Sequence, residues 1–279
     1  MPRHEYRLVD VFTSERFGGN PLAVFPRAGG IDPADMQRIA RELNLSETTF
    51  VLPTDHPECD YRNVDKPQVA YKETVTRHTR AVGKFIQQSG GRGQYGHVVM
   101  DVAPAQKGAG ILFESKIIGG AIPREYIPAV KNGIVLAAKS GVLGSYPVTD
   151  IAVTLVDGSY HEVDSSEIAF QMAASIAFTD GLRSGGPYLL EPIMDIEIVV
   201  PEDFMGTVIG DFSSRRGKLI SMGQRGNVRV LRGHVPLAEV FDYANIVRSL
   251  TQGRASFTME HFCYQEVPRD ISNKVLGLK

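Results

Sequence analysis

An α+β chain made of consecutive, separately folded parts is what this sequence predicts, on three observations. Short apolar runs with alternation read as strands, and between them lie longer runs whose apolar residues recur every three or four positions, which read as helices. Two breaks divide the pattern: a polar stretch over 53–67 carrying Pro53, Pro57 and Pro67, and the tetrapeptide Ser184-Gly185-Gly186-Pro187. A length of 279 residues suits about two domains, or three small ones. The parts so divided are 1–62, 63–185 and 186–279.

In the first part, 6–12 is apolar enough for a strand, Phe17-Gly18-Gly19-Asn20-Pro21 is a turn cluster, and 22–25 is a second short apolar run. Asp32-Pro33 predicts a helix start, because an Asp side chain accepts from the free first-turn amides and Pro lacks an amide where none is needed. Met36, Ile39, Ala40 and Leu43 then share a face, and 48–52 reads as another strand.

In the second part, strands are predicted over 69–76, 84–88, 97–102, 111–116 and 148–156, with a glycine-rich turn at 89–96. Tyr126, Ile127, Val130 and Ile134 form the stripe of a helix over 124–140, stopped by Gly141. Asp157-Gly158 reads as a turn, and Asp164-Ser165-Ser166-Glu167 as a capping box that opens a helix over 168–182. The last part reads strand (189–200), helix (202–215), strand (218–222), strand (227–235), helix (237–250), strand (256–265). That βαββαβ order is the split-βαβ, ferredoxin-like pattern, with Gly217 placed to cap one helix and Pro236 to begin the next.

Bulk composition narrows the function. Hydrophobic residues at 43% and charged residues at 22% are an ordinary globular balance. A formal charge of −2 gives no bulk attraction for nucleic acid, so DNA is not an expected partner and any RNA contact must come from a local patch. Cys59 and Cys263, the only cysteines, suggest neither a disulfide framework nor a metal cluster, and point to the reducing cytosol. The N-terminus lacks a signal-peptide core, and the apolar run 168–178 is too short to span a bilayer. A cytoplasmic protein without metal or membrane partner is expected. No G-x-x-x-x-G-K-[ST] loop, His/Cys cluster or G-x-S-x-G elbow occurs, so GTP hydrolysis by these residues and cofactor use are not expected.

Four patterns could carry function. Ser89-Gly90-Gly91-Arg92-Gly93-Gln94-Tyr95-Gly96-His97 combines open backbone with a cation, an amide, a ring and an imidazole, a mix suited to phosphate contact, base-edge bonding and stacking on RNA. The bland alternative is a flexible hairpin loop. Ser159-Tyr160-His161-Glu162 precedes a helix N-terminus, where amides favour anions; the alternative is an exposed loop histidine. Arg215-Arg216, with Arg225, Arg229 and Arg232, forms either an RNA-facing patch or a solvated face. Glu47, after Asn44-Leu45-Ser46, is a general acid/base if it lies in an apolar cleft and a solvated carboxylate otherwise.

From about Asn63 onward the chain resembles translation elongation factor G. The resemblance is carried by Lys66-Pro67-Gln68-Val69-Ala70-Tyr71, by the 88–97 run, by Ile122-Pro123-Arg124-Glu125-Tyr126-Ile127-Pro128-Ala129-Val130, by Gly158-Ser159-Tyr160-His161-Glu162-Val163-Asp164-Ser165-Ser166-Glu167, and by Arg248-Ser249-Leu250-Thr251-Gln252-Gly253-Arg254-Ala255. It implies the factor's domains IV and V: a ribosomal-protein S5 domain 2-like α/β sandwich with a left-handed βαβ crossover, then the ferredoxin-like domain. It also implies a ribosomal partner, with domain IV in the small-subunit decoding region beside tRNA and domain V against large-subunit rRNA. The tip loops would be 89–94 and 159–162, with His161 foremost, and GTP and magnesium would belong to parts of the factor other than these. Asp242 stands where that family usually has Gly.

Residues 6–61 instead resemble the start of the phenazine-biosynthesis PhzF-like isomerase family, on Val9-Asp10-Val11-Phe12, Gly19-Asn20-Pro21-Leu22-Ala23-Val24-Phe25 and the run ending Asn44-Leu45-Ser46-Glu47-Thr48-Thr49-Phe50. That resemblance implies a truncated β-α-β fragment of an epimerase-like fold with Glu47 as its acid/base. Without the rest of its site no isomerisation is expected, and so short a fragment is expected to be poorly ordered, or to pack irregularly or against another chain. The chain thus reads as a hybrid. Three functions stay open: a ribosome-binding module that is not an enzyme, an isomerase carried by Glu47, and a hybrid with no evolved function. Turnover of a substrate of the isomerase family, lost in Glu47→Gln, would single out the second.

Overall fold

The computed structural model describes residues 4–11, 20–43, 47–51, 69–87 and 93–278. Near the N-terminus, β1 (Arg7–Val11) and β2 (Asn20–Phe25) run antiparallel, with Arg7 opposite Val24. Helix α1 (Pro33–Leu43) then crosses back so that β3 (Glu47–Phe50) can pair with β2 in parallel, the kind of join that needs a crossover. Asp32 caps this helix as its sequence predicts, its carboxylate accepting from the Ala34 N–H at 2.8 Å. Ala23, Phe25, Ala28 and Ile31 are buried, Met36, Ile39 and Leu43 lean on them, and the Phe25 and Phe50 rings stack with centroids 4.8 Å apart. The described residues pair regularly rather than irregularly, because strand, helix and strand are near neighbours in sequence and can bury a small core of their own. In the sheet order β1-β2-β3, both outer strands keep one edge unpaired within that sheet.

The chain divides into two compact units, Met1–Gln68 with Met194–Glu260, and Val69–Ile193 with His261–Lys279. In the second of these, β4 (Lys72–Val75) precedes a four-stranded sheet. That sheet is built from β5 (Thr79–Gln87), β6 (Gln94–Pro104), β7 (Ile111–Ser115) and β8 (Ile151–Ser159), in the order β5-β6-β8-β7. β7 and β8 are parallel, joined through a 3-10 turn at Arg124–Tyr126 and helix α2 (Ile127–Ala137); the other two pairs are antiparallel. Helix α3 (Glu167–Ser184) lies over the sheet, with Phe170, Ala173, Ala177 and Phe178 fully buried.

Close approach is made possible by missing Cβ atoms. A Cβ on Gly96 would stand 2.3 Å from the Ala169 carbonyl oxygen, and one on Gly133 would stand 2.3 Å from that of Gln171. Glu73 on β4 is 2% exposed. Its carboxylate accepts from four backbone amides, those of Val142 at 2.6 Å, Leu143 and Gly144 at 2.9 Å, and Tyr146 at 3.1 Å, which pins the connection between α2 and β8.

Several details of this unit differ from the sequence reading. The helix expected over 124–140 is a 3-10 turn followed by the shorter α2, and Gln94, Tyr95 and Gly96 of the expected turn already pair in β6. Asp157-Gly158 is not a turn but part of β8, opposite Val99 and Val98. The register shifts at Val99/Met100, where Met100 faces Leu155, so Val156 is the extra residue of a β-bulge. The cap of α3 is Ser166 alone, whose side chain accepts from the Ala169 N–H at 3.2 Å; Glu167 is already the first helical residue and cannot complete a capping box.

The last segment has β9 (Pro187–Pro201), α4 (Glu202–Ser214), β10 (Lys218–Arg225), β11 (Val228–Pro236), α5 (Tyr243–Leu250) and β12 (Ser256–Glu266), with sheet order β10-β11-β9-β12. That order is the ferredoxin-like arrangement of the predicted βαββαβ series. The helix expected over 237–250 is broken: a 3-10 turn at Leu237–Glu239 comes first, and α5 starts only after Asp242, whose φ of −111° is not helical. Nor is Gly217 the left-handed residue after α4. Arg216 takes that conformation, with φ +59°, while the Gly217 N–H returns to the Phe212 carbonyl at 3.0 Å. A Cβ on Gly217 would stand 2.4 Å from that oxygen, so glycine is needed there for closeness. A short helix, α6 (Arg269–Val275), ends the described chain and has no counterpart in the sequence reading.

Candidate nucleic-acid interface

Gln87 and Gln94 face each other at the last rung of β5 and β6, so the connection carrying Ser89, Gly90, Gly91 and Arg92 leaves the sheet from that end. Those four candidates lie outside the described residues. On the neighbouring strand, Ser159 pairs with His97, and the chain leaves β8 from the same end toward Tyr160, His161 and Glu162. Two of the sequence candidates are thus brought together by strand register, from positions some seventy residues apart.

What ties them is Asp164 and Ser165, which the sequence presents only as helix caps. The Asp164 carboxylate accepts from the Gly93 N–H at 3.1 Å, and its backbone carbonyl accepts from the Tyr95 N–H at 2.8 Å. The Ser165 hydroxyl donates to the Tyr95 carbonyl at 3.1 Å and accepts from the His161 N–H at 2.8 Å. The signal is present in sequence as acceptor side chains after a loop, but nothing local says that their donors lie on β6. His161 is bound further through its Nδ1, 3.4 Å from Asp164 Oδ2, and its side chain is 58% exposed. Its ring sits 6.3 Å from that of Tyr95.

Beneath this latch is a second polar chain. The Tyr95 hydroxyl and the Ser159 hydroxyl share a hydrogen bond of 2.7 Å, and Ser159 shares another of 2.8 Å with His97 Nδ1. The Tyr95 hydroxyl and His97 Nδ1 therefore serve the shape of the site, leaving Tyr160, His161, Glu162 and Val163 as the exposed side chains. Gln94 begins β6 and is half-buried. The arrangement offers a partner an imidazole, a phenol and a carboxylate on a backbone that hydrogen bonds hold in place.

The arginines belong to the other unit and are already engaged. Arg215 forks onto Asp211 at 2.8 and 3.1 Å, donates to the Glu239 carbonyl at 2.8 Å and lies over the Tyr243 ring. Arg216 donates to Glu239 Oε1 at 2.9 Å. Arg225 and Arg232 converge on Glu197, and Arg229 reaches Glu202 at 2.6 Å. The geometry assigns Arg215 to packing rather than to a free phosphate contact, and it neutralises much of the charge expected of this patch. Glu47 opens β3 opposite Leu22, and its predecessors Asn44, Leu45 and Ser46 lie outside the described residues. Among the described residues no cluster of His, Cys, Asp and Glu is suited to a metal, and no helix is long and apolar enough to cross a membrane.

The family model for elongation factor G, domain IV, matches residues 67–199, and that for the elongation factor G C-terminus matches 188–275. Residues 67–275 belong to the elongation factor G family. A third model, phenazine biosynthesis-like protein, matches residues 9–63, so the chain is a hybrid of two families. Elongation factor G from Aquifex pyrophilus is 54% identical over 215 residues, which cover 77% of this chain and 31% of that protein. A crystal structure of a protein from Thermus thermophilus matches with a TM-score of 0.71 at 41% identity, over 75% of this chain and 31% of that one. The chain thus spans about a third of the length of the elongation factor G it matches.

Proposed function

We propose that the elongation factor G segment of this chain is a ribosome-binding module, which meets RNA at the sheet end carrying Gly93–Tyr95 and Ser159–Glu162 and does so without hydrolysing GTP. The observation that carries this reading is the latch of Asp164 and Ser165. It holds the exposed His161 and the start of the glycine-rich connection at one end of a rigid sheet, and a site on a rigid support costs little entropy to bind. The domain IV resemblance supports a small-subunit decoding-region contact beside tRNA for this end, and the C-terminal resemblance supports a large-subunit rRNA contact for the ferredoxin-like part. In evolutionary terms we divide the chain at 1–62, 63–185 and 186–279.

The test is co-sedimentation of the full chain with 70S-type ribosomes at low and moderate salt, beside Arg92→Ala and His161→Ala. The chain should pellet at low salt and less at moderate salt, since phosphate contacts release counterions. Each substitution should weaken pelleting by about tenfold or less, the worth of one contact of order 1 kcal/mol. Pelleting that both variants share with the wild type would remove the sheet end from the reading, and no pelleting at low salt would remove the reading itself.

A further inference from the structure

A third segment reaches the same end of the sheet. β7 is parallel to β8, with Ser115 opposite Leu155, so the chain leaving β7 travels in the direction in which β8 runs toward Ser159. The Lys116 N–H continues the pairing by donating to the Leu155 carbonyl at 2.8 Å. The segment returns at Ile122, which is 1% exposed and packs so tightly against β8 that a Cβ on Gly158 would stand 2.5 Å from its Cδ1. Since the sheet order is β5-β6-β8-β7, residues 116–122 flank the His161 turn on the side opposite β6. The ends of β6, β8 and β7 nearest Gly93, Ser159 and Lys116 therefore stand in a row across one end of the sheet.

The middle of this segment is built outward. Ile117 packs against the core, whereas Ile118 is 88% exposed, the barest large apolar side chain among the described residues. Gly119 and Gly120 follow, with φ of +70° and +74°, and open space surrounds the place of each absent Cβ. Two successive left-handed residues favour glycine, and their bare backbone lets a partner come close. Lys116 is exposed, and its contact with the exposed Glu114 at 3.4 Å is weak enough to exchange for a phosphate. Arg124 and Glu125 beyond it are both exposed and balance one another, so the segment attracts RNA by little net charge.

We infer that residues 116–120 form a third RNA-contacting element, in which Ile118 packs on the face of an unstacked base or ribose and Lys116 reaches the adjoining phosphate. The inference rests on the reading of this sheet end as an RNA site and extends it to the β7 side. Apolar and stacking contacts to splayed bases are how irregular RNA is commonly recognised, and a base has an apolar face whatever its identity.

The experiment titrates the full chain against purified 70S-type ribosomes by pelleting, with Ile118→Asp, Ile118→Leu, Lys116→Ala and His161→Ala, each first matched to the wild type in circular dichroism and Tm. Ile118→Asp should raise the half-pelleting concentration about tenfold, while Ile118→Leu should stay within about twofold. Lys116→Ala should flatten the salt dependence by about one phosphate contact. If Ile118→Asp pellets like the wild type while His161→Ala is weakened, the third element is refuted and the sheet-end reading stands. If the wild type fails to pellet at low salt, both fall together.

Discussion

At the scale of single residues, the site depends most on a side chain that presents nothing to a partner. Asp164 accepts from Gly93 and pairs with His161, so removing its carboxylate frees Gly93 and the His161 turn at once. Asp164→Ala should lower Tm by an amount corresponding to about 1–2 kcal/mol, because a half-buried amide loses its acceptor. It should also weaken ribosome pelleting at least as much as His161→Ala does. Pelleting unchanged in a destabilised Asp164→Ala would show that the latch serves stability alone.

Tyr243 offers the opposite case. Its hydroxyl is buried and finds no hydrogen-bond partner among the described residues, and burial, then the nearby Asp211 charge, pushes its ionisation well above the ordinary phenol range. Tyr243→Phe should therefore leave stability unchanged or raise it by up to about 1 kcal/mol, measured by denaturant unfolding. A marked loss would mean that the hydroxyl has a partner. Sequence shows His161 and Tyr160 as exposed candidates but cannot show Asp164 as their organiser, because a hydrogen bond to a strand seventy residues away leaves no local pattern.

At the scale of elements, the strands and helices are legible wherever periodicity alone decides them, and each misreading has a physical cause. Asp157-Gly158 has turn composition, yet pairing with β6 keeps it extended and a bulge at Val156 absorbs the misfit. Gly217 has cap composition, yet Arg216 takes the left-handed position and the glycine is used for closeness to Phe212. In the first case tertiary pairing overrides local propensity; in the second the helix end closes by a local Gly217–Phe212 bond that puts the left-handed residue one position earlier. The arginines of β10 and β11 are legible as a basic patch, but Glu197, the partner of Arg225 and Arg232, lies on β9 and cannot be paired with them from sequence.

That pairing carries a pH dependence. The Arg232 hydrogen bond, followed by the Arg232 and Arg225 charges, holds the Glu197 carboxyl below its ordinary range. The unfolded chain then binds the proton more readily, so the stabilisation is present above the ordinary carboxylate pKa and fades as pH falls through the lower folded value. Tm of the wild type should accordingly drop more steeply on acidification below about pH 4.3 than Tm of Glu197→Gln. Parallel acid limbs for the two proteins would contradict the account of this cluster.

At the scale of the whole molecule, the hybrid character is the most legible feature of all, because two families leave different motifs on either side of the stretch 53–67. The ferredoxin-like order is equally plain, since it follows from element sequence and needs no knowledge of contacts. What sequence cannot supply is that Gly93, the 116–122 segment and the 160–162 turn lie at one end of the same sheet. That emerges only when the strand order β5-β6-β8-β7 and the parallel β7–β8 pair are known.

The central claim is that this sheet end meets RNA of the small subunit, and chemical probing of ribosomal RNA with the full chain bound tests it most directly. Small-subunit nucleotides in the decoding region should be protected, and more weakly so in Asp164→Ala and His161→Ala at the same chain concentration while the protein stays folded. An unprotected decoding region at chain concentrations that pellet with ribosomes would contradict it.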